Sequence, residues 1–206
     1  EIENLYTDSE DIELEDVRFT IEIDGIDDGD DMDERSDKFD IQPATKNSDF
    51  VNFLVPIEAD EDLYDVTVKA SGTDENGKEH DYKLKFKIKV QKLKHDIRIE
   101  RLSLDKNILG CNRKTNLRIM LRNYGSTREK EVMLDIRSSK SLGFNYQETN
   151  ILLDDDLEDP DSEYQKVIPI NIPLMKPAGA YVISVKVYYD SDHPDDAEEL
   201  SLNINN

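Results

Sequence analysis

Apolar and polar residues alternate with a period of two along most of the chain. From Tyr181 to Tyr189 every second residue is apolar, and the stretch that begins at Tyr64 has the same pattern. Such alternation is typical of antiparallel strands with one buried face. Further strands are predicted at Val17–Ile23, Asp49–Val55, Tyr82–Val90, Leu117–Leu121, Val132–Ile136, Lys166–Ile172 and Glu199–Ile204.

The strand pattern occurs twice in the chain. The stretches "PIEADEDLYDVTVK" (56–69) and "PLMKPAGAYVISVK" (173–186) share Pro, Tyr, Val and Lys at a constant offset of 117. Flanking strands match at offsets of 115, 117 and 116, the last pairing Leu84, Phe86 and Ile88 with Leu200, Leu202 and Ile204. "ENLYTDSE" also resembles "RNYGSTRE", with Asn4 opposite Asn123.

We therefore predict an all-β chain of two tandem immunoglobulin-like antiparallel β-sandwich modules, residues 1–93 and 94–206. Residues 95–125 should supply the first two strands of the second module, whereas the first module has only "EIEN" in their place. The first module therefore lacks its N-terminal strand, roughly 25 residues by comparison, and exposes an edge and an apolar face. Either the chain was cut there or another chain fills the gap.

The recurring Pro and Tyr residues predict a structural corner rather than a ligand site. Pro56 and Pro173 each close a strand, because proline has no N–H to give to a sheet ladder. Tyr64 and Tyr181 then open the next strand. In immunoglobulin-like sandwiches a tyrosine at this place bonds through its hydroxyl to nearby backbone. The linker "VQKLKHD" (90–96) has no Gly, Pro or Ser, which predicts a fairly stiff joint.

"PAGAYVISVKVYYDSD" after "IPINIPL", and "LRIMLRNYGS" before "EVMLDI", resemble the CARDB family of cell-adhesion-related, immunoglobulin-like modules. The tandem arrangement and "KLKHDIRIERLSL" are similar to archaeal S-layer-associated surface proteins. The first module departs from the pattern, because "ENLYTDSED" lacks the glycine of the turn. The resemblance implies an extracellular, cell-surface location, a binding or spacer role and no catalytic residues.

The charge of the chain limits its partners. Asp and Glu number 48 against 26 Lys and Arg, and the net charge is −22. This charge repels nucleic acid and anionic membranes and attracts cations. No apolar run approaches the length of a membrane-spanning helix. The sequence also contains no nucleophile–base pair, phosphate loop or His/Cys cluster, so we expect no enzyme activity. Cys111 is expected to be a small buried residue.

Two acidic stretches, 24–34 and 154–163, are candidate calcium loops, because calcium binds carboxylate and carbonyl oxygens on flexible loops. Neither fits the EF-hand pattern, and solvated acidic turns are the alternative interpretation. The candidate ligands are Asp27, Asp28, Asp30, Asp31 and Asp33 in the first stretch, and Asp154, Asp155, Asp156, Asp159 and Asp161 in the second.

Four lysines alternate with apolar residues on one strand: Lys83, Lys85, Lys87 and Lys89. The apolar set is predicted to face the core. The lysines either prevent edge-to-edge pairing of the strand or form a docking stripe for an acidic neighbour.

The patterns favour a non-catalytic structural or adhesive segment, and the resemblance implies that it belongs to a larger prokaryotic, specifically archaeal, cell-surface or S-layer protein. It would act there as a stiff spacer and packing surface. Its expected partners are further copies of itself or neighbouring surface proteins, without nucleic acid or membrane insertion. The alternative is a surface module that recognises glycan or a protein partner, with calcium as a possible requirement. Glycan binding is the less favoured form, because the chain has no Trp.

Overall fold

The computed structural model describes residues 1–139, 142–190 and 194–205, and nearly all of its regular structure is β-strand. The chain divides into two compact units, Glu1–Gln91 (unit 1) and Lys92–Asn206 (unit 2). The sequence predicts this boundary between residues 93 and 94. The described residues include one short 3-10 helix, Pro160–Ser162, and no helix long and apolar enough to cross a membrane. The fold is all-β and immunoglobulin-like, as predicted.

Unit 1 is built on one five-stranded antiparallel sheet. Its strands are β1 (Ile2–Glu3), β2 (Leu14–Asp27), β3 (Asp30–Arg35), β4 (Phe39–Ile41), β5 (Lys46–Asn47), β6 (Leu63–Asp74) and β7 (Glu79–Lys89). The sheet has the order β3-β2-β6-β7, and β4 also pairs with β2. The short strands β1 and β5 pair only with each other.

Unit 2 is a complete sandwich of two sheets. Its strands are β8 (Ile97–Leu104), β9 (Ile108–Leu109), β10 (Lys114–Asn123), β11 (Glu129–Ser138), β12 (Asn145–Leu153), β13 (Glu163–Asn171), β14 (Gly179–Tyr188) and β15 (Asp196–Ile204). One sheet has the order β13-β10-β8 and the other β12-β11-β14-β15-β9. All pairs are antiparallel except β9 with β15, which is parallel.

The inner faces of the two sheets enclose the core of unit 2. On β14, Tyr181, Ile183, Val185 and Val187 are buried, whereas Val182 on the opposite face is exposed. The period-two pattern of this strand is therefore confirmed. The predicted strands coincide with β2, β7, β10, β11, β13 and β15, whose ends differ from the predicted ones by up to four residues, and Asp49–Val55 is the exception.

The predicted tyrosine corner is present in both units. The Tyr181 hydroxyl donates to the carbonyl oxygen of Pro177 at 2.8 Å. The Tyr64 hydroxyl donates to the carbonyl oxygen of Asp60 at 3.1 Å. In each case the acceptor lies four residues before the tyrosine, so the corner ties the entering loop to the start of its strand.

Strand pairing confirms the internal repeat in the sheet centre. Ile21 lies opposite Val68 in unit 1, and Ile136 lies opposite Val185 in unit 2. These pairs preserve the offsets of 115 and 117 that the sequence indicates. The same two strands thus meet in the same register in both units.

The predicted offset of the last strand is wrong by two residues. Tyr64 lies opposite Ile88, and Tyr181 lies opposite Leu202, so the structural offset is 114 and not 116. Ile88 follows Tyr64 by 24 positions and Leu202 follows Tyr181 by 21, so the hairpin of unit 2 is three residues shorter rather than one. Because a strand repeats every two residues, this shift leaves the inward face unchanged.

Asn4 and Asn123 make equivalent hydrogen bonds in the two units, as their alignment predicts. Each is fully buried, and its side-chain oxygen accepts the backbone N–H two residues later, from Tyr6 and Gly125 respectively. Each amide nitrogen donates to two carbonyl oxygens: Ile12 and Ile41 for Asn4, and Thr127 and Asp154 for Asn123. Each asparagine therefore satisfies three backbone groups, one of them in a distant segment of its unit.

β1 is the counterpart of Leu121 and Arg122 near the end of β10. Ile2 lies opposite Asn47, and the equivalent pair in unit 2 is Leu121 with Tyr164. The offsets of 119 and 117 match those of Asn4 with Asn123 and of the central strands. The first residues of unit 1 thus correspond in their pairing to the end of β10 in unit 2.

The predicted strand Asp49–Val55 is not formed. Its counterpart β13 pairs along its whole length with β10, whereas only Lys46 and Asn47 have such a partner in unit 1. Phe50 and Leu54 are 86% and 87% exposed. Apolar alternation alone does not make a strand, because the backbone N–H and C=O groups need a ladder partner.

We expect Asn123→Ala to lower the free energy of unfolding of unit 2 by about 2–3 kcal/mol, because it leaves buried backbone groups without partners. Chemical denaturation of the full chain measures this change. Asn116→Ala is the matched control on the same strand, since the Asn116 amide bonds only an exposed carboxylate. Equal effects of the two substitutions would contradict the structural role of Asn123.

Candidate functional site

Unit 1 carries an apolar sheet face that its own residues cover only in part. The pairing of β2, β6 and β7 places apolar side chains in rows across this face. The rows are Phe19–Ala70–Tyr82, Ile21–Val68–Leu84 and Ile23–Val66–Phe86. We call this surface the open face.

The open face is largely buried along β2 and β6 and exposed along the edge strand β7. Ile23 and Val66 pack with Ala59 and Phe53, which come from the segment between β5 and β6. Leu84 and Phe86 are 47% and 45% exposed. The prediction that the apolar residues of β7 face a core is therefore wrong for these two positions, because no second layer lies above them in the described part of unit 1.

Unit 2 shows the same face with its cover in place. Ile136 and Val185, the counterparts of Ile21 and Val68, have no exposed surface, whereas Ile21 and Val68 are only half-buried. The cover is the sheet of β8, β10 and β13, whose inward residues join the same core cluster. These residues are Ile97, Ile99, Leu117, Ile119, Leu121, Ile168 and Ile170.

A groove of about 800 Å³ lies between the first residues of the chain and the sheet. The N-terminal segment from Glu1 to Tyr6 forms one wall, and residues of β2, β6 and β7, among them Val17, Ala70 and Tyr82, form the other. The groove therefore connects the Tyr82 row of the open face with β1.

Asp74 fixes the hairpin beside this groove. One carboxylate oxygen accepts the backbone N–H groups of Asn76 and Lys78, both at 3.0 Å. The other contacts the His80 ring at 3.1 Å and the Tyr6 hydroxyl at 3.3 Å. The His80 contact and these N–H donors lower the pKa of Asp74 to about 2. The carboxylate thus ties the N-terminal segment to the β6–β7 hairpin.

The four predicted interaction lysines lie on the outer face of β7, which is an edge strand. Lys87 contacts Asp65 at 3.2 Å and Lys89 contacts Glu61 at 3.9 Å. Lys83 and Lys85 lie near Glu22, whose pKa is lowered mainly by its hydrogen bond from Lys69. The lysines therefore form rows with acidic residues of the neighbouring strands, which fits protection of the edge.

The first acidic stretch is a tight hairpin between β2 and β3. Asp28 and Gly29 form its two-residue turn with positive φ angles of 51° and 87°, as the twist of a hairpin favours. Asp31 accepts the N–H of Gly25 at 2.8 Å. Asp27, Asp30 and Asp33 are exposed on the two strands. The five aspartates are therefore spread along a hairpin rather than gathered around one point.

The second acidic stretch forms turns capped by its own carboxylates. Asp154 accepts the N–H groups of Asp155 and Asp156, and its ion pair with Arg128 spans 3.3 Å. The N–H of Asp156 is the main cause of the lowered pKa of Asp154. Asp159 accepts the N–H of Asp161 at 2.8 Å and caps the 3-10 helix.

The proposed calcium ligands do not converge. In the part of the chain that the structure describes, no group of three or more His, Cys, Asp or Glu side chains is placed to hold a metal ion. Both acidic stretches lie wholly within that part. Their geometry fits the alternative interpretation of solvated acidic turns.

The cysteine and the histidines form no shared metal site in the part of the chain that the structure describes. Cys111 is exposed in the turn between β9 and β10, so its predicted burial is wrong. His95 contacts Glu129 at 2.6 Å and stacks on the ring of Tyr189 at 4.0 Å. His193 lies outside the described residues.

No family model and no curated protein matches the sequence of this chain. Among solved structures, it is similar to the crystal structure of red sea bream transglutaminase, with a TM-score of 0.40 and 9% identity. The match covers 100% of this chain and 30% of the transglutaminase chain. The likeness is too distant to bear on function.

Sequence reasoning identified the open face only indirectly. It predicted an exposed face from the absent strands, but it assigned the apolar residues of β7 to a core and did not find the Asp74 network. The signal for that network was the "TDENGKEH" turn (73–80), because Asp before Asn-Gly is a common turn sequence.

Calcium in the low millimolar range should not change the midpoint of thermal unfolding beyond the effect of matched ionic strength. A bound ion at 100 times its dissociation constant would stabilise the chain by about 2.7 kcal/mol. A scan with calcium, with chelator and with monovalent salt measures this difference. A calcium-specific shift that is lost in Asp27→Asn/Asp30→Asn would contradict the expectation.

Asp74→Asn should destabilise unit 1 at neutral pH, and the difference from wild type should disappear on acidification. The folded-state pKa of Asp74 lies below the ordinary value of 3.8, at about 2. Its stabilisation is therefore complete above pH 3.8 and is lost as pH falls through about 2.

Unfolding of unit 1, followed by NMR signals of its residues between pH 7 and about 2, measures the difference. Asp81→Asn is the control for removing one exposed carboxylate from the same hairpin. If Asp74→Asn remains less stable than wild type at the lowest pH, the charge of the Asp74 carboxylate is not what stabilises unit 1.

Proposed function

We propose that the chain is a non-catalytic structural or adhesive segment of a larger archaeal cell-surface or S-layer protein. In this role unit 2 resists force along the chain, and the surfaces of both units contact neighbouring copies or other surface proteins. The parallel pairing of β9 with β15 is the observation that carries the proposal.

The parallel pair joins β9, near the beginning of unit 2, to β15, its last strand. The N–H of Asn203 donates to the carbonyl oxygen of Asn107 at 2.8 Å, and the N–H of Asn205 donates to that of Leu109 at 2.7 Å. Leu109 is buried and joins the core cluster. Tension that enters before β8 and leaves after β15 pulls these neighbouring strands in opposite directions along their length. The hydrogen bonds are then loaded together rather than one after another.

The acidic surface agrees with this role. A net charge of −22 keeps neighbouring chains apart in solution, and it is screened at high ionic strength. The carboxylates of the second acidic stretch are held by backbone N–H groups of their own turns. They therefore give unit 2 a fixed polar surface rather than a flexible one.

Asn205→Pro should lower the force at which unit 2 unfolds in single-molecule pulling of the full chain. Proline removes the N–H that bonds Leu109 without changing a core side chain. Asn205→Ala keeps the N–H and should unfold at the wild-type force. An unchanged unfolding force for Asn205→Pro would contradict the force-resisting role of the β9–β15 pair.

The second candidate function is recognition of a protein or glycan partner, and the groove beside the open face favours it. A glycan array and a panel of purified envelope proteins, both probed with the full chain, separate the two functions. A spacer binds none of them, whereas saturable binding that is lost in Tyr82→Ala supports recognition at the groove.

A further inference from the structure

The open face of unit 1 calls for a covering layer of a particular kind. This inference goes beyond the proposed function. We propose that this face is a docking surface for an antiparallel pair of β-strands, joined in line to Ile2 within the same polypeptide. The pair has the apolar alternation of β8 and β10 and completes unit 1 as a sandwich.

The first argument is the register of β1. Ile2 and Glu3 pair with Asn47 and Lys46, as Leu121 and Arg122 of β10 pair with Tyr164 and Glu163. A strand that continues backwards from Ile2 therefore runs along residues 48–54, as β10 runs along β13.

The second argument is the unpaired segment 48–54. Val51 and Phe53 are the counterparts of Ile168 and Ile170, which are buried on β13. In unit 2 these positions lie opposite Leu117 and Thr115 of β10. The segment thus has the side-chain pattern of a strand and lacks only the partner backbone.

The third argument is the chemistry of the cover. In unit 2 the inward residues of β8 and β10 are all aliphatic: Ile97, Ile99, Leu117, Ile119 and Leu121. They cover the counterparts of Ile21 and Val68, which are half-buried in unit 1. An apolar face of this size is buried by an apolar strand pair rather than by a polar ligand.

One position shows where the cover of unit 1 differs from that of unit 2. Leu84 lies opposite Val68, whereas exposed Glu198 lies opposite Val185. The strand pair that fits unit 1 therefore has more apolar contact near this edge than β8 has. For this reason an experiment that grafts β8 and β10 onto unit 1 should follow hydrogen exchange at residues 48–54 rather than at Leu84.

The test is a chimera of the full chain in which residues 97–120 replace Glu1. The graft ends at Met120, the counterpart of Glu1, so Ile119 and Ile2 stay on the same face. Hydrogen exchange of the amides of residues 48–54 is compared between the chimera and the parent chain. We expect exchange there to slow by at least about tenfold, together with loss of binding of a fluorescent apolar dye.

The matched control carries one extra serine between Met120 and Ile2. A shift of one residue turns every grafted apolar side chain to the opposite face. The control should therefore leave exchange of residues 48–54 at the parent rate. Equal protection in both chimeras would overturn the proposal, because it would show non-specific collapse on the open face.

A second measurement keeps the proposal testable if the chimera does not fold. A synthetic peptide of residues 96–123 is added to the full chain, and saturable slowing of exchange at residues 48–54 is expected. No slowing with either the graft or the peptide overturns the proposal. Sedimentation that shows a dimer with residues 48–54 already protected also overturns it, because a second copy then covers the open face.

Discussion

An antiparallel sheet with one apolar face needs a second layer, and this requirement governs both halves of the chain. In unit 2 the sheet of β8, β10 and β13 supplies the layer, and the central residues Ile136 and Val185 lose all exposure. In unit 1 the same central pair, Ile21 and Val68, keeps its register although the layer is only partly present. The register is thus set within the sheet, whereas burial is set by what lies above it.

The features that the two units share most closely satisfy backbone groups rather than fill space. Asn4 and Asn123 bond equivalent turn groups, and Tyr64 and Tyr181 close equivalent corners. A buried N–H or C=O has few possible partners, and these geometries tolerate little change in side-chain type. Core positions differ more freely, because any apolar side chain of suitable volume fills them.

The sequence predicts what depends on local pattern and fails where a distant partner decides. The faces of β14 follow from alternation alone. Segment 48–54 has the same pattern but no strand, because no stretch of the described chain supplies its ladder. The sequence predicts an offset of 116 for the last strand, whereas the structure has 114. A slip of two residues preserves the faces of a strand, so only the geometry of the hairpin fixes the offset. For the acidic stretches, composition could not distinguish a metal site from carboxylates that bond their own turns.

Leu84 in unit 1 and Glu198 in unit 2 occupy equivalent positions but differ in polarity. Each residue lies on the last strand of its unit in chain order, opposite a valine of the neighbouring strand. A glutamate there is solvated beside a completed sandwich, whereas a leucine adds apolar surface to an open one. The outer lysines of β7 discourage pairing along the strand edge, but they leave the inward face unprotected. Unit 1 is therefore protected against edge-to-edge association while its face stays able to accept a second layer.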